Sequence, residues 1–216
     1  MRKVLVIGAN GKVGRILTQK LHDSSDFEPT AVFRKEEQSD LFREIGVDYH
    51  VLSLEDTVDK ISSLMEGMDV IVFTAGSGGK TGDDMTLAID LDGAVKAMEA
   101  ADKAGVKRFV MVSAIHADDR SKWKASGING YYIAKHYADR ILKNSSLDFT
   151  ILRPGLLLEE AGTEKITVDN PESKKGVPRE DVANLILAVL TQENAIGKTI
   201  TFNQGETSIT DIVSKL

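Results

Sequence analysis

A glycine-rich turn near the first residue limits the folds open to this chain more than any other feature. A short apolar run leads directly into Gly8, and glycines recur at Gly11 and Gly14. In a strand-turn-helix unit, the first glycine permits the tight turn, the second lets the backbone approach a pyrophosphate, and the third lets the helix pack closely. Apolar residues then follow at helical spacing over residues 13–21, which is the context that the motif requires. We predict a dinucleotide site here; the alternative is a plain strand-to-helix turn. The residues of this turn that we assign to the cofactor are Gly8, Asn10, Gly11, Lys12, Val13 and Gly14.

Short apolar runs alternate with longer segments of mixed polarity along the chain. This rhythm is typical of a parallel sheet with crossover helices. The predicted strands cover residues 4–7, 30–33, 48–52, 70–73, 109–112 and 149–152. We therefore predict an α/β fold, a Rossmann-like doubly wound parallel sheet with a small C-terminal extension on the substrate side. The length of 216 residues fits a single domain over residues 1–216, in which residues 155–216 form the substrate-side region.

Two later helices are predicted from apolar residues at three- and four-residue spacing. The first includes residues 87–98 and ends at Gly105, and the second covers residues 182–190 behind Pro178. Turn-rich, charged segments are expected at the carboxyl ends of strands, where an open parallel sheet binds its ligands. Each of them could equally be a solvated connection. These segments are residues 76–84, 116–129 and 159–176.

The charge balance argues against a nucleic-acid partner. Acidic residues number 33 against 27 lysines and arginines, a net charge of -6, so phosphate backbones and anionic lipid have no general attraction for the chain. The sequence contains no cysteine, and its four histidines show no ligand spacing, so we predict no metal site. Since no apolar run has the length of a signal-peptide core or a membrane span, we expect a cytoplasmic protein without a membrane partner. The oligomeric state stays open.

The residue after the second predicted strand bears on the choice of cofactor. An NAD site commonly places an acidic residue there to bind the ribose 2′-hydroxyl, whereas this chain has Arg34. A guanidinium suits the 2′-phosphate of NADP(H), so we predict NADP(H) over NAD(H). The alternative is that Arg34 is a surface cation and that either cofactor binds. Glu36 and Glu37 are predicted to form the first turn of the next helix.

Several motifs are spread over nearly the whole chain. They are GANGKVG at 8–14, DLDG at 90–93, GVKRFVMVS at 105–113, YYIAK at 131–135, DFTILRPG at 148–155 and REDVA at 179–183. Together they resemble the atypical and extended short-chain dehydrogenase/reductase families, specifically the small NmrA-like NAD(P)-binding oxidoreductases. The resemblance implies a Rossmann-like fold and a nicotinamide cofactor.

The resemblance also implies a catalytic set of Tyr131, Lys135 and Ser113. A spacing of four residues puts the phenol and the ammonium on one helical face, where we expect the cation to lower the pKa of Tyr131. A tyrosine of this kind can act as the general acid that protonates a carbonyl oxygen, while Ser113 polarises the carbonyl. Alternatively, Tyr131 and Lys135 belong to an exposed helix face, and Tyr132 also lies within reach of Lys135.

Further cofactor contacts follow from the same resemblance. Relatives often carry an aspartate near the adenine, but the corresponding stretch here contains Ser53, which we expect to contact the adenine together with the backbone. Small residues after the fourth strand should pass close under the cofactor. The additional cofactor residues are Ser53, Leu54, Thr74, Ala75, Gly76, Lys135 and Pro154.

The function predicted from these features is hydride transfer from NADPH to a small carbonyl, quinone or flavin-like acceptor. The chain would then be an enzyme, an atypical short-chain reductase whose partner is a small molecule. The rival is an NmrA-like redox sensor that binds NADP(H) without turnover; the Tyr131 and Lys135 pair favours the enzyme. A sugar-nucleotide epimerase or dehydratase would need more chain than follows Gly155.

Overall fold

A mostly parallel sheet forms the centre of the molecule. The computed structural model of the chain describes residues 1–79, 81–168 and 176–216. Its strands are β1 (Arg2–Ile7), β2 (Phe27–Phe33), β3 (Asp48–Val51), β4 (Val70–Phe73), β5 (Arg108–Val112), β6 (Asp148–Pro154), β7 (Leu157–Leu158), β8 (Lys165–Val168), β9 (Val177–Pro178), β10 (Lys198–Gln204) and β11 (Thr207–Ser208). Within the described residues, nine strands form the main sheet in the order β11-β8-β10-β6-β5-β4-β1-β2-β3, and β7 pairs with β9.

The strand order confirms the predicted fold. From β3 through β1 to β6 and β10, neighbouring strands run parallel, and the order 3-2-1-4-5-6 is that of a doubly wound sheet. All six predicted strands are present. The sequence analysis missed β10, because its polar threonines interrupt the apolar run that marks the other strands. The strand β8 runs antiparallel to β10, and β11 runs antiparallel to β8, so the C-terminal residues extend the main sheet.

Helices cover both faces of the sheet. They are α1 (Lys12–His22), α2 (Asp40–Ile45), α3 (Val58–Ser63), α4 (Asp83–Met85), α5 (Ala94–Ala104), α6 (Arg120–Trp123), α7 (Asn129–Lys143), α8 (Arg179–Leu190) and α9 (Ile209–Val213). Alternate residues of β1 enter opposite cores: Val4 and Val6 pack with α1 and α8, whereas Leu5 and Ile7 pack with α5 and α7. This two-sided burial explains why the strands read as continuous apolar runs. In the described part of the chain, no helix has the length and apolar character needed to cross a membrane.

Two helix predictions need correction. The segment before α5 is π-helical over Thr86–Gly93, and Leu87 is exposed rather than buried, because the wider turn changes the rotation per residue. Glu36 and Glu37 lie in a short 3₁₀ turn before α2, where the side chain of Gln38 accepts a hydrogen bond from the Lys35 N–H. Of the predicted ligand-side segments, residue 80 and residues 169–175 lie outside the described residues.

Candidate functional site

The glycine turn connects β1 to α1 at the point where the strand order reverses. Gly8 has a φ of +84°, and a Cβ there would lie 2.6 Å from the backbone of Ala75. A Cβ at Gly14 would lie 2.4 Å from the carbonyl oxygen of Gly8, so both positions need glycine for the turn to pack. Gly11 caps α1 without a side-chain hydrogen bond, and the first turn of α1 has no acidic residue. The exposed N–H groups of this helix start fit the pyrophosphate of a dinucleotide.

A cleft of about 270 Å³ opens beside the turn, at the carboxyl ends of β1 to β4. The residues assigned to the cofactor that line it are Gly8, Asn10, Gly11, Arg34, Ser53, Leu54, Thr74, Ala75 and Gly76. The side chain of Arg34 is exposed, so it can reach a phosphate at the rim. Gln38 and Glu55 also line this cleft, and the Ser53 hydroxyl donates to Glu55 at 3.4 Å. The sequence analysis missed both, because a polar residue in a loop carries no pattern of its own.

A second cleft, of about 860 Å³, continues from residues 74–76 toward α7. Its lining includes Val13 from the glycine turn and all three predicted catalytic residues, Ser113, Tyr131 and Lys135. The Lys135 Nζ lies 5.6 Å from the centre of the Tyr131 ring and 3.5 Å from the carbonyl oxygen of Val112. Tyr132, in contrast, packs in a small apolar cluster. The fold therefore brings the Ser113, Tyr131 and Lys135 side chains to one cleft, adjoining the glycine turn.

Asp90 is a site residue that the sequence analysis missed. Its Oδ1 lies 3.0 Å from the Lys135 Nζ, and the side chains are 1% and 4% exposed. The other carboxylate oxygen accepts a hydrogen bond of 2.9 Å from the Ser77 N–H. The DLDG motif shows two acids, Asp90 and Asp92, but nothing in the sequence says which one is buried. The π-helical segment decides this, because it turns Asp90 toward α7.

Burial dominates the ionisation of the tyrosine. It raises the pKa of Tyr131, and the opposing effect of Lys135 does not offset it. Burial alone would lower the pKa of Lys135, but the negative charges of a Tyr131 phenolate and of Asp90 outweigh it and raise that pKa. The expectation that Lys135 brings the tyrosine toward a working pKa near neutrality is therefore wrong for this structure. At neutral pH the site holds a neutral phenol beside a charged ammonium.

A second buried charge pair lies one helical turn beyond Lys135. The Arg153 Nε on β6 donates to the Asp139 Oδ2 on α7 at 2.8 Å, and both side chains are buried. Arg153 also pairs with Asp118 in the loop after β5, which connects that loop to β6. Burial raises the pKa of Asp139 despite the guanidinium. The hydroxyl of Ser113 is buried, and it lies close enough to the Asp139 carboxyl to oppose, by hydrogen bonding, the effect of burial on the pKa of that group.

Three residues assigned to the cofactor do not line the two clefts. Gly14 packs inside the turn, and Pro154 lines a neighbouring pocket near Ser113. Lys12 forms an ion pair with Glu159, which also lies 3.0 Å from the Arg179 Nη1. Lys12 and Arg179 lower the pKa of Glu159, Lys12 more strongly. The link across Glu159 joins the start of α1 to the start of α8.

A doubly wound sheet with this glycine turn at its switch point defines a dinucleotide-binding protein of the Rossmann class. Residues 8–193 match the family of NAD(P)H-binding proteins, and the chain belongs to that family. The match spans the turn, both clefts and α8.

Similar proteins carry related names. The Bacillus subtilis protein named uncharacterized sugar epimerase YhfK is 42% identical over 214 residues, which cover 99% of this chain and 100% of that protein. A solved structure from Bacillus halodurans, provisionally named an NAD-dependent epimerase/dehydratase, has 42% identity and a TM-score of 0.92 over 100% of both chains. The oxidoreductase ylbE from Lactococcus lactis has 35% identity and a TM-score of 0.90, covering 99% of this chain and 96% of that one. These matches confirm the resemblance to atypical short-chain dehydrogenase/reductase proteins.

Proposed function

We propose that the protein is an NADPH-dependent reductase of small carbonyl compounds, with quinones and flavin-like molecules as further acceptors. One observation carries the proposal: Ser113, Tyr131 and Lys135 line a single cleft that adjoins the glycine turn. A protein that only binds a dinucleotide has no need of a half-buried phenol beside a buried ammonium and a buried hydroxyl at that place. The NAD(P)H-binding family of the chain supports a nicotinamide cofactor as the source of reducing equivalents.

The proposed cofactor is NADP(H) rather than NAD(H). Arg34 lines the first cleft directly after β2, at the position where NAD-specific sites commonly place an acidic residue. Its guanidinium can form charge-assisted hydrogen bonds to a 2′-phosphate. When bound, the reduced nicotinamide supplies a hydride to the carbonyl carbon.

The proton that completes the reduction is assigned to Tyr131. Since burial raises its pKa, the phenol is protonated at neutral pH and can transfer its proton to the carbonyl oxygen as the C–O bond becomes single. The Ser113 hydroxyl donates a hydrogen bond to the same oxygen. Lys135, kept charged beside Asp90, then stabilises the phenolate, which takes a new proton from solvent.

A second candidate is an epimerase, because two of the similar proteins carry that name. Epimerisation by hydride transfer returns the hydride to the substrate, so it consumes no cofactor overall. Net oxidation of NADPH by an acceptor therefore separates the two functions. A redox sensor would bind NADPH and show neither reaction.

The test follows the loss of nicotinamide absorbance with NADPH and a panel of aldehydes, ketones, quinones and flavins. With a carbonyl substrate, Tyr131→Phe should lower kcat by about 10²–10⁴, the usual scale for general acid catalysis, while calorimetric titration shows unchanged NADPH affinity. Tyr132→Phe is the matched control and should have little effect, since that ring packs with Ala114 and Trp123 and does not line the cleft that holds Lys135. Equal effects of the two substitutions, or normal carbonyl turnover by Tyr131→Phe, would refute the assignment.

A further inference from the structure

A third pocket, of about 470 Å³, lies beyond Ser113 and Tyr131. Its walls are mostly apolar and include Ile128, Leu156 and Leu157. Leu156 is 73% exposed and Ile128 is 51% exposed, which is unusual for large aliphatic side chains that also line a pocket. This pocket shares Ser113 and Tyr131 with the second cleft, so a molecule that occupies it has one end at the reacting groups.

Arg179 gives the pocket its charge. It lines both the catalytic cleft and the third pocket, and no described lining residue of the third pocket is acidic. The Arg179 Nη1 atom is buried and makes no hydrogen bond in the described part of the chain. Its ion-pair partner Glu159 lies 3.0 Å away, outside hydrogen-bond geometry. Because Glu159 is not among the described residues that line the third pocket, the guanidinium meets no carboxylate from them inside it and is a strong site for an anion.

We propose that the substrate carries a carboxylate that pairs with Arg179, on an apolar body held by Leu156 and Ile128. This inference rests on the proposed reductase function and names the class of its substrate: an apolar oxo acid. The planar fork of a guanidinium matches a carboxylate with two parallel hydrogen bonds. The carboxylate of Glu159 lies 3.0 Å from the Arg179 Nη1, so a carboxylate fits beside this guanidinium. The side chain of Glu159 is 65% exposed, so it can move away into solvent.

In this proposal, Glu159 competes with the substrate carboxylate for Arg179. Its carboxylate is held by Lys12 as well as by Arg179, so it can leave Arg179 without losing all its partners. A substrate carboxylate takes its place and satisfies the buried Nη1 donor. Removing the charge of Glu159 should therefore strengthen the binding of an acid rather than weaken it.

The experiment measures binding of unreactive acids and their amides, so that it does not depend on turnover. Benzoate, 3-phenylpropionate and indole-3-acetate, each with its primary amide, are titrated calorimetrically into the protein with and without NADP⁺. In the unsubstituted protein, at least one acid should bind about ten-fold or more tighter than its amide, as expected for hydrogen bonds to a charged group. Arg179→Met should remove this preference, and Glu159→Gln should increase acid affinity. The controls Arg140→Met and Glu160→Gln change exposed residues and should leave it unchanged.

The proposal is overturned if no acid binds better than its amide, or if Arg179→Met retains the preference. It is also overturned if Glu159→Gln weakens acid binding as much as Arg179→Met does. Circular dichroism melts establish that each variant is folded. The reductase function is tested separately, by NADPH oxidation with the panel of carbonyl compounds. The binding test does not depend on that result, because benzoate and the other acids are ligands that the enzyme would not reduce.

Discussion

Asp90→Asn tests the buried ion pair on which the proposed site depends. The substitution keeps the shape of the side chain and can keep the hydrogen bond from the Ser77 N–H. It removes only the negative charge that lies 3.0 Å from the Lys135 Nζ. Lys135 then stays buried, with the Val112 carbonyl at 3.5 Å as its near polar contact.

The expected loss is large because both partners are almost fully buried. Breaking a buried pair by removing one partner costs about 3–5 kcal/mol, since the remaining charge is left without compensation. The retained bond to Ser77 places Asp90→Asn near the lower end of that range. Asp92→Asn is the matched control from the same motif: Asp92 is 64% exposed and pairs with Lys96, so its loss should cost at most about 1 kcal/mol.

Urea unfolding at pH 7, followed by circular dichroism, measures both variants. In the unsubstituted protein the pair should stabilise the fold from neutral pH up to the unfolded lysine value of about 10.4 and lose that contribution only above it, because the pKa of Lys135 is raised. Replacing both partners, as in Asp90→Leu with Lys135→Met, should cost less than Asp90→Asn alone. If Asp90→Asn were no more destabilising than Asp92→Asn, the idea of a buried, charged pair would be refuted.

Two further predictions concern Arg34 and the packing of the glycine turn. Arg34→Gln should weaken NADPH binding by about ten- to a hundred-fold, through loss of charge-assisted hydrogen bonds, and leave NADH affinity unchanged; titration of both cofactors checks this, with Lys35→Gln as the control. Gly14→Ala should lower the free energy of unfolding by about 1–3 kcal/mol or more, because the new Cβ would lie 2.4 Å from the Gly8 carbonyl oxygen. Gly79→Ala meets nothing within 4 Å and should unfold like the unsubstituted protein; equal midpoints for the two glycine variants would contradict the close packing of the turn.

The central strands and the glycine turn could be predicted because their signals are local. A strand buried on both faces reads as a continuous apolar run, as in β4 and β5, and a turn that forbids Cβ shows as glycine. The strand β10 gives a weaker signal, since threonines alternate with its buried residues. The family assignment also came from local motifs, and residues 8–193 bear it out.

The electrostatics of the site could not be predicted from the same information. The spacing of Tyr131 and Lys135 gives their shared face, but it does not give the burial that raises the pKa of the tyrosine. Asp90 approaches Lys135 across 45 positions of the sequence, through a π-helical segment that has no sequence signature in this chain. Arg179 is part of the REDVA motif, but the motif does not show that the fold places this side chain in the lining of two pockets.

The protonation of Tyr131 bears on the direction of the proposed reaction. Reduction of a carbonyl consumes a protonated phenol, whereas oxidation of an alcohol needs a phenolate as the base. Burial favours the phenol, and Asp90 and Asp139 add negative charge that disfavours the phenolate. Because Asp90 faces Lys135 directly, part of the ammonium's field is cancelled before it reaches the tyrosine. A site that needed a resting phenolate would gain from a neutral residue at position 90; on the proposed mechanism, the carboxylate at Asp90 instead favours the protonated phenol that carbonyl reduction consumes.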